Sequence, residues 1–131
     1  MEEVKRPFEI KLLNVGEIRM GSPYNHCNIE LIGTKIKLPK AGWQDKYAWT
    51  ADSKRLVLIK WDFDKNEASF HLFLINTQNG KTKESHKIYG LPDTISISGD
   101  TVKYTKFLYD KTKSTADNFC CHIDEEFKFD L

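Results

Sequence analysis

Two neighbouring segments in the middle of the chain are apolar at almost every position, and they restrict the fold more than any other feature. Residues 55–63 read R-L-V-L-I-K-W-D-F, and residues 69–75 read S-F-H-L-F-L-I. Side chains alternate between the faces of a strand. The first segment therefore sets Val57, Ile59, Trp61 and Phe63 on one face, with Leu56 and Leu58 on the other. The second sets Phe70, Leu72 and Leu74 against His71, Phe73 and Ile75. Strands apolar on both faces belong in the centre of a covered sheet, not at its rim. The linker Asp64-Lys65-Asn66-Glu67 is short and polar, so the two strands should form a hairpin.

The same two-residue period recurs along the chain, and no sustained helical period is found. Phe8, Ile10 and Leu12 alternate with charged residues, as Cys27, Ile29 and Leu31 do with polar ones. Ile36 and Leu38 predict a short strand ended by Pro39. Asn79-Gly80 predicts a type I′ turn, in which both residues take positive φ. Residues 81–89 are polar and lysine-rich, as suits an outer strand. After the Gly90-Leu91-Pro92-Asp93 turn, Ile95 and Ile97 form a strand, and Ser98-Gly99-Asp100 turns the chain into Val102–Leu108. Residues 111–117 form a polar loop. Phe127, Phe129 and Leu131 mark a last strand, for which an N-terminal strand is a candidate partner. Nine to eleven strands with short connections predict an all-β fold, an antiparallel meander within a single domain over 1–131.

Composition narrows the possible functions. A chain of 131 residues can bury roughly two-thirds of its unfolded surface, enough for a core without staples. Twenty basic residues against nineteen acidic ones leave a net charge of +1. A nucleic-acid binder would show a clustered basic excess, so none is expected as a partner. No apolar run approaches the ~20 residues of a membrane helix, and the start lacks a secretory apolar region, so no membrane association is expected. Cysteines 27, 120 and 121 are odd in number and two are adjacent, which suits free thiols in a reducing cytoplasm.

Signals for catalysis do not converge. His26-Cys27 and Cys120-Cys121-His122 offer metal-ligand types, but strand neighbours point to opposite faces and no C-x-x-C spacing occurs. We therefore expect no metal and no cofactor. Asp62 and Asp64 at a strand end, and the run Asp124-Glu125-Glu126, read as solvated carboxylates, not as an acid–base pair in a cleft. Histidines 26, 71, 86 and 122 are scattered. Neither a phosphate-binding loop nor a nucleophile elbow is present. The expectation is a protein that is not an enzyme.

Aromatic residues among polar ones are the better lead. Trp43, Tyr47 and Trp49 lie beside Gln44, Asp45 and Lys46, a mixture typical of protein interfaces. Trp49 and Trp61 are expected in the core, whereas Trp43 is equally compatible with packing and with an interface. The Gly21-Ser22-Pro23-Tyr24-Asn25 loop carries a second such pair. Residues 49–59, W-T-A-D-S-K-R-L-V-L-I, resemble the inner part of a β-propeller blade, with a W-S-x-D-G/S-K turn before an apolar strand. Asn76 to Gly80 matches the N-x-x-x-G turn that follows. At 40–45 residues per blade the chain holds at most three, fewer than a closed propeller needs. Two blade-like sheets packed as an open sandwich are the expected architecture.

The motifs G-S-P-Y-N-H-C (21–27) and G-W-Q-D-K-Y-A-W-T-A-D-S-K (42–54), with the apolar strand after them, resemble small bacterial immunity proteins. Those are encoded beside polymorphic toxins of the Rhs and type VI secretion kind. The likeness covers about the first two-thirds of the chain. It implies a cytoplasmic protein that neutralises one cognate toxin domain by occluding its active site. Tyr24, Asn25, Trp43, Gln44, Asp45 and Lys46 are the expected contact residues. Two rivals remain: a propeller-like scaffold acting through self-association or an edge strand such as 81–89, and a small hydrolase using Asp62, Asp64 or a histidine.

Overall fold

The computed structural model describes residues 6–17, 25–64, 67–109 and 119–129, with side chains at all of these except 63, 64, 67, 68, 108, 109 and 119–122. Ten strands follow one another: β1 Glu9–Glu17, β2 Asn25–Ile32, β3 Trp43–Trp49, β4 Arg55–Asp64, β5 Glu67–Asn76, β6 Thr82–Glu84, β7 Ile88–Tyr89, β8 Leu91–Ser98, β9 Thr101–Tyr109 and β10 Phe119–Lys128. No helix occurs among the described residues. The fold is all-β, and its strand pairs are antiparallel. A seven-stranded sheet runs β1-β2-β3-β4-β5-β6 with β7 also on β5, and a three-stranded sheet runs β10-β9-β8.

The β4–β5 hairpin lies at the centre, as its two-sided apolar pattern requires. It pairs without interruption from Arg55↔Asn76 to Asp64↔Glu67. Val57, Ile59, Trp61, Phe70, Leu72 and Leu74 pack against the three-stranded sheet through Ile97, Val102 and Tyr104. Leu56, Leu58, Phe73 and Ile75 pack on the other side with Phe8, Cys27 and Trp43. The first sheet folds over its own centre to supply this second layer. β2 joins β3 through the single pair Cys27↔Trp43, which frees the β1–β2 hairpin to lay Ile10, Leu12, Ile29 and Leu31 over the core. The result is sandwich-like, with apolar layers on both sides of β4–β5.

The turn at residues 50–54 is held by its own side chains. Thr50 Oγ1 donates to Asp52 Oδ1 at 2.7 Å, and Asp52 accepts the Lys54 amide at 2.9 Å. Ser53 takes φ 62°, a left-handed step that glycine adopts most readily. Thr77 Oγ1 donates to the Ser53 carbonyl at 2.6 Å, which ties this turn to the next.

Five local expectations need correction, and the first is the turn at 90–93: the chain bends at Gly90 alone, at φ 126°, and β8 already pairs from Leu91↔Phe107. Ile36 and Leu38 are not in a strand: Thr34 Oγ1 accepts the Ile36 amide, Pro39 offers no donor, and both apolar side chains pack on the core from a loop. Asn79-Gly80 is not a type I′ turn, because only Gly80 has positive φ. Instead the Asn76 side chain accepts the amides of Gln78 and Asn79, and the Gly80 amide donates to the Asn76 carbonyl. Residues 81–89 are not one strand. Ser85 exchanges bonds with Leu72 through both its amide and its hydroxyl, and this splits the segment into β6 and β7. The final strand pairs with β9, not with an N-terminal strand. The turn at 65–66, Gly21–Tyr24, the 111–117 loop and Leu131 lie outside the described residues.

Candidate protein-binding surface

β3 carries an irregularity at the residues singled out in the sequence. Trp43 pairs with Lys60 and Tyr47 with Leu58, so four steps on β3 span two on β4. The segment Gln44–Lys46 therefore arches away from β4. Two extra residues keep the alternation in phase, whereas one would have flipped the faces. Trp43 and Trp49 remain on one apolar side, and Ala48 remains on the other.

The six expected contact residues separate by position. Trp43 is 1 % exposed and meets Phe73 edge-on at 5.4 Å; it is a core residue, which corrects its assignment to a contact surface. Gln44 is fully buried as well. Its Nε2 donates to the Pro92 carbonyl at 2.7 Å, and its Oε1 has no partner. Both are buried because the sheet is covered on both faces, so neighbours of opposite orientation each meet a packed layer. Asn25, Asp45 and Lys46 are half-buried. Asn25 Nδ2 donates to Asp45 Oδ2 at 3.0 Å, and Lys46 Nζ donates to the Asp93 carbonyl at 2.5 Å and lies 3.3 Å from its carboxylate. The Trp61 indole donates to the Asn25 carbonyl at 2.9 Å, fixing the start of β2. Tyr24 lies outside the described residues. Asp93 was not foreseen, because nothing in the sequence pairs it with a lysine 47 positions earlier.

Cys27 lies under this ridge. Burial, with a smaller contribution from the charge of Asp45, pushes its thiol up to about 11. Its neighbour His26 is exposed on the opposite side of β2. Among the described residues no three histidine, cysteine, aspartate or glutamate side chains converge as metal ligands. The side chains of Cys120, Cys121 and His122 lie outside them.

A second polar group was visible in the sequence only as separate residues. His71 Nε2 is 2.8 Å from Asp62 Oδ2, and Nδ1 is 2.9 Å from the Ser85 carbonyl. Lys87 approaches Asp62 at 3.5 Å, and Lys60 pairs with Glu84. The His71 hydrogen bond, then the Lys87 charge, holds the Asp62 carboxyl below its usual range. Both imidazole nitrogens are thus engaged by acceptors of the chain itself. This geometry ties β4, β5 and the 85–87 crossing together; the Asp64 side chain lies outside the described residues.

A third group lies on β9 and β10, across a cleft from the 85–87 crossing. The Tyr104 hydroxyl donates to Glu125 Oε1 at 3.0 Å, and Lys106 Nζ pairs with the same oxygen at 2.7 Å. Lys106, then Tyr104, keeps the Glu125 carboxyl below its usual value, while burial, and then Glu125, raises the Tyr104 hydroxyl. These residues border a cleft of about 410 Å³ between the layers, beside His86, Tyr89 and Phe127. In comparisons with known proteins, no family model matches the chain, and no curated protein or solved structure matches it either.

Proposed function

We propose that this protein is an immunity protein, which neutralises a cognate toxin domain by covering its active site in the cytoplasm of the cell that makes both. The observation that carries the reading is the arch Gln44–Lys46. It presents Asn25, Asp45, Lys46 and Asp93 as a ridge of both charges, fixed from beneath by Trp43, Gln44 and Trp61. Stoichiometric occlusion favours a surface that is ordered before binding, because less side-chain freedom is then lost in the complex. The sequence motifs that resemble immunity proteins, 21–27 and 42–54, overlap this ridge. No contact in this reading requires Trp43 or Gln44 to leave the interior.

The test is co-expression with the product of the neighbouring reading frame. Asp45→Arg together with Lys46→Glu should abolish co-purification and protection of the cell while moving the melting temperature by no more than about 5 °C. If the folded double variant protects as well as the parent chain, the ridge is not the inhibitory surface. If the neighbouring product is harmless to a cell lacking this protein, the immunity reading is lost.

A further inference from the structure

We propose that the open end of the central hairpin, where Arg55 pairs with Asn76, is a docking surface for a short acidic segment of another protein. Residues 33–37, 50–55 and 76–81 meet there with Arg6. They bring together six basic residues, Arg6, Lys35, Lys37, Lys54, Arg55 and Lys81, and one acidic residue, Asp52. This basic pole is a different surface from the Gln44–Lys46 arch, and the inference stands independently of the immunity reading.

The charges converge because the backbone joins the segments that carry them. The Lys54 carbonyl accepts the Thr77 amide at 3.0 Å, and the Lys81 carbonyl accepts the Asn76 amide at 2.8 Å. Arg6 Nη1 donates to the Thr50 carbonyl at 3.1 Å and to Ser53 Oγ at 2.9 Å. Gly80 lies against Ile36, where a β-carbon on the glycine would stand 3.5 Å from Ile36 Cγ1, so the 35–37 loop borders Lys81. Arg55 is half-buried, and the other five basic residues are exposed. Asp52 is engaged within its own turn by the Thr50 hydroxyl and the Lys54 amide. Among the described residues, no carboxylate forms an ion pair with any of the six.

Two of the six are held in place before any partner arrives. The Arg6 guanidinium lies over the Trp49 ring, 5.3 Å from its centroid, and Arg55 Nη1 donates to the Lys54 carbonyl at 3.2 Å. Arg55 Nε is buried and has no acceptor in the chain. A guanidinium carries five N–H donors in a fixed fork, so both arginines keep donors for an oxyanion. Carboxylates of a protein fit this pole better than the backbone of a nucleic acid. The whole chain has a net charge of +1, so outside the pole its surface is acidic on balance. The other end of the hairpin carries Asp62, Asp64 and Glu67, and β10 carries Asp124, Glu125 and Glu126. A long polyanion leaving the pole would run into that repulsion, whereas a few carboxylates stay clear of it. Bases would also need a ring to stack on, and the ring adjoining the pole, Trp49, is already covered by Arg6 and Phe8.

The experiment titrates the isotope-labelled full chain with a short synthetic peptide of alternating glutamate and serine, and follows backbone amides by NMR. A glutamine–serine peptide and a short DNA duplex are the controls. Saturable shifts at Lys54, Arg55 and Lys81 are expected with the glutamate peptide, fading as salt rises from about 50 mM to about 200 mM. Lys54→Glu with Lys81→Glu should weaken binding by about tenfold or more, with the urea midpoint close to that of the parent chain. Lys35→Gln with Lys37→Gln, outside both turns, should weaken it by about threefold. Equal binding of the glutamine peptide, full affinity in either folded variant, shifts confined to other surfaces, tighter binding of the duplex at the pole, or no binding at about millimolar peptide would each overturn the proposal.

Discussion

Trp43 and Lys46 stand three positions apart in one strand, yet substitutions at them should act on different properties. Trp43 is enclosed by Phe73, Leu56 and Leu58, so Trp43→Ala leaves a cavity and should cost about 3–5 kcal/mol in chemical denaturation. Lys46 and Asp93 are each about two-fifths exposed, at 42 % and 41 % of their side chains. Solvent screens such a pair, so Lys46→Ala should change stability by less than about 1 kcal/mol. A comparable loss in both variants would mean that the arch is part of the core and not a presented surface. Cys27 gives a second check at this scale. It is 1 % exposed and its thiol is raised to about 11, so the reactive thiolate is scarce and shielded at pH 8 or below. Iodoacetamide should leave residue 27 unmodified in the native protein and alkylate it after unfolding, as read by peptide mass spectrometry. Rapid labelling under native conditions would contradict the burial beneath Asn25 and Asp45.

The β4–β5 hairpin was legible in the sequence because two-residue alternation, read on both faces, leaves only the centre of a covered sheet for residues 55–75. The β1–β2 pair was legible for the same reason on one face. The arch in β3 was not: its two extra residues preserve the alternation, so Trp43, Tyr47 and Trp49 look the same with or without it. The split between β6 and β7 was equally hidden, because Ser85 acts through a bond to the distant Leu72 amide, a contact that local polarity does not encode. Asp62 and His71 were each noted, but their meeting depends on the register in which Asp62 faces Ser69 and Lys60 faces His71. These tertiary ties have an acid signature. The Asp62 and Glu125 carboxyls lie below their ordinary values of 3.8 and 4.5, so the folded state binds fewer protons than the unfolded one in that region. The stabilisation they supply is complete above about pH 5 and declines as pH falls through the lowered folded values. Asp62→Asn with Glu125→Gln should therefore lower stability at neutral pH and flatten its fall between about pH 5 and pH 2, measured by urea denaturation across that range. An unchanged slope would assign the acid sensitivity to other carboxylates.

At the scale of the whole molecule, the central hairpin belongs to two apolar clusters at once. Leu72 faces the cluster shared with β8 and β9, and Phe73 faces the one shared with β2 and β3. Neither outer layer has a complete core without β4–β5: the three-stranded sheet keeps Ile97, Val102 and Tyr104 on one side only, and the β1–β2 hairpin alone is too small to be stable in water. Losing either contact exposes one face of the same hairpin and weakens the strand pairs that present the other. Unfolding should consequently be a single transition despite the two clusters. Leu72→Ala and Leu58→Ala remove buried side chains from opposite faces, each 0 % exposed, and each should lower the midpoint of the same transition at a cost of about 2–5 kcal/mol. Tryptophan fluorescence, which reports Trp43, Trp49 and Trp61, and far-ultraviolet circular dichroism should follow one curve in both variants, as a two-state domain requires. Two separated curves, with Leu58→Ala moving one and Leu72→Ala the other, would show that the layers fold as independent units. The hairpin would then be a spacer between them, not the element that makes them one protein.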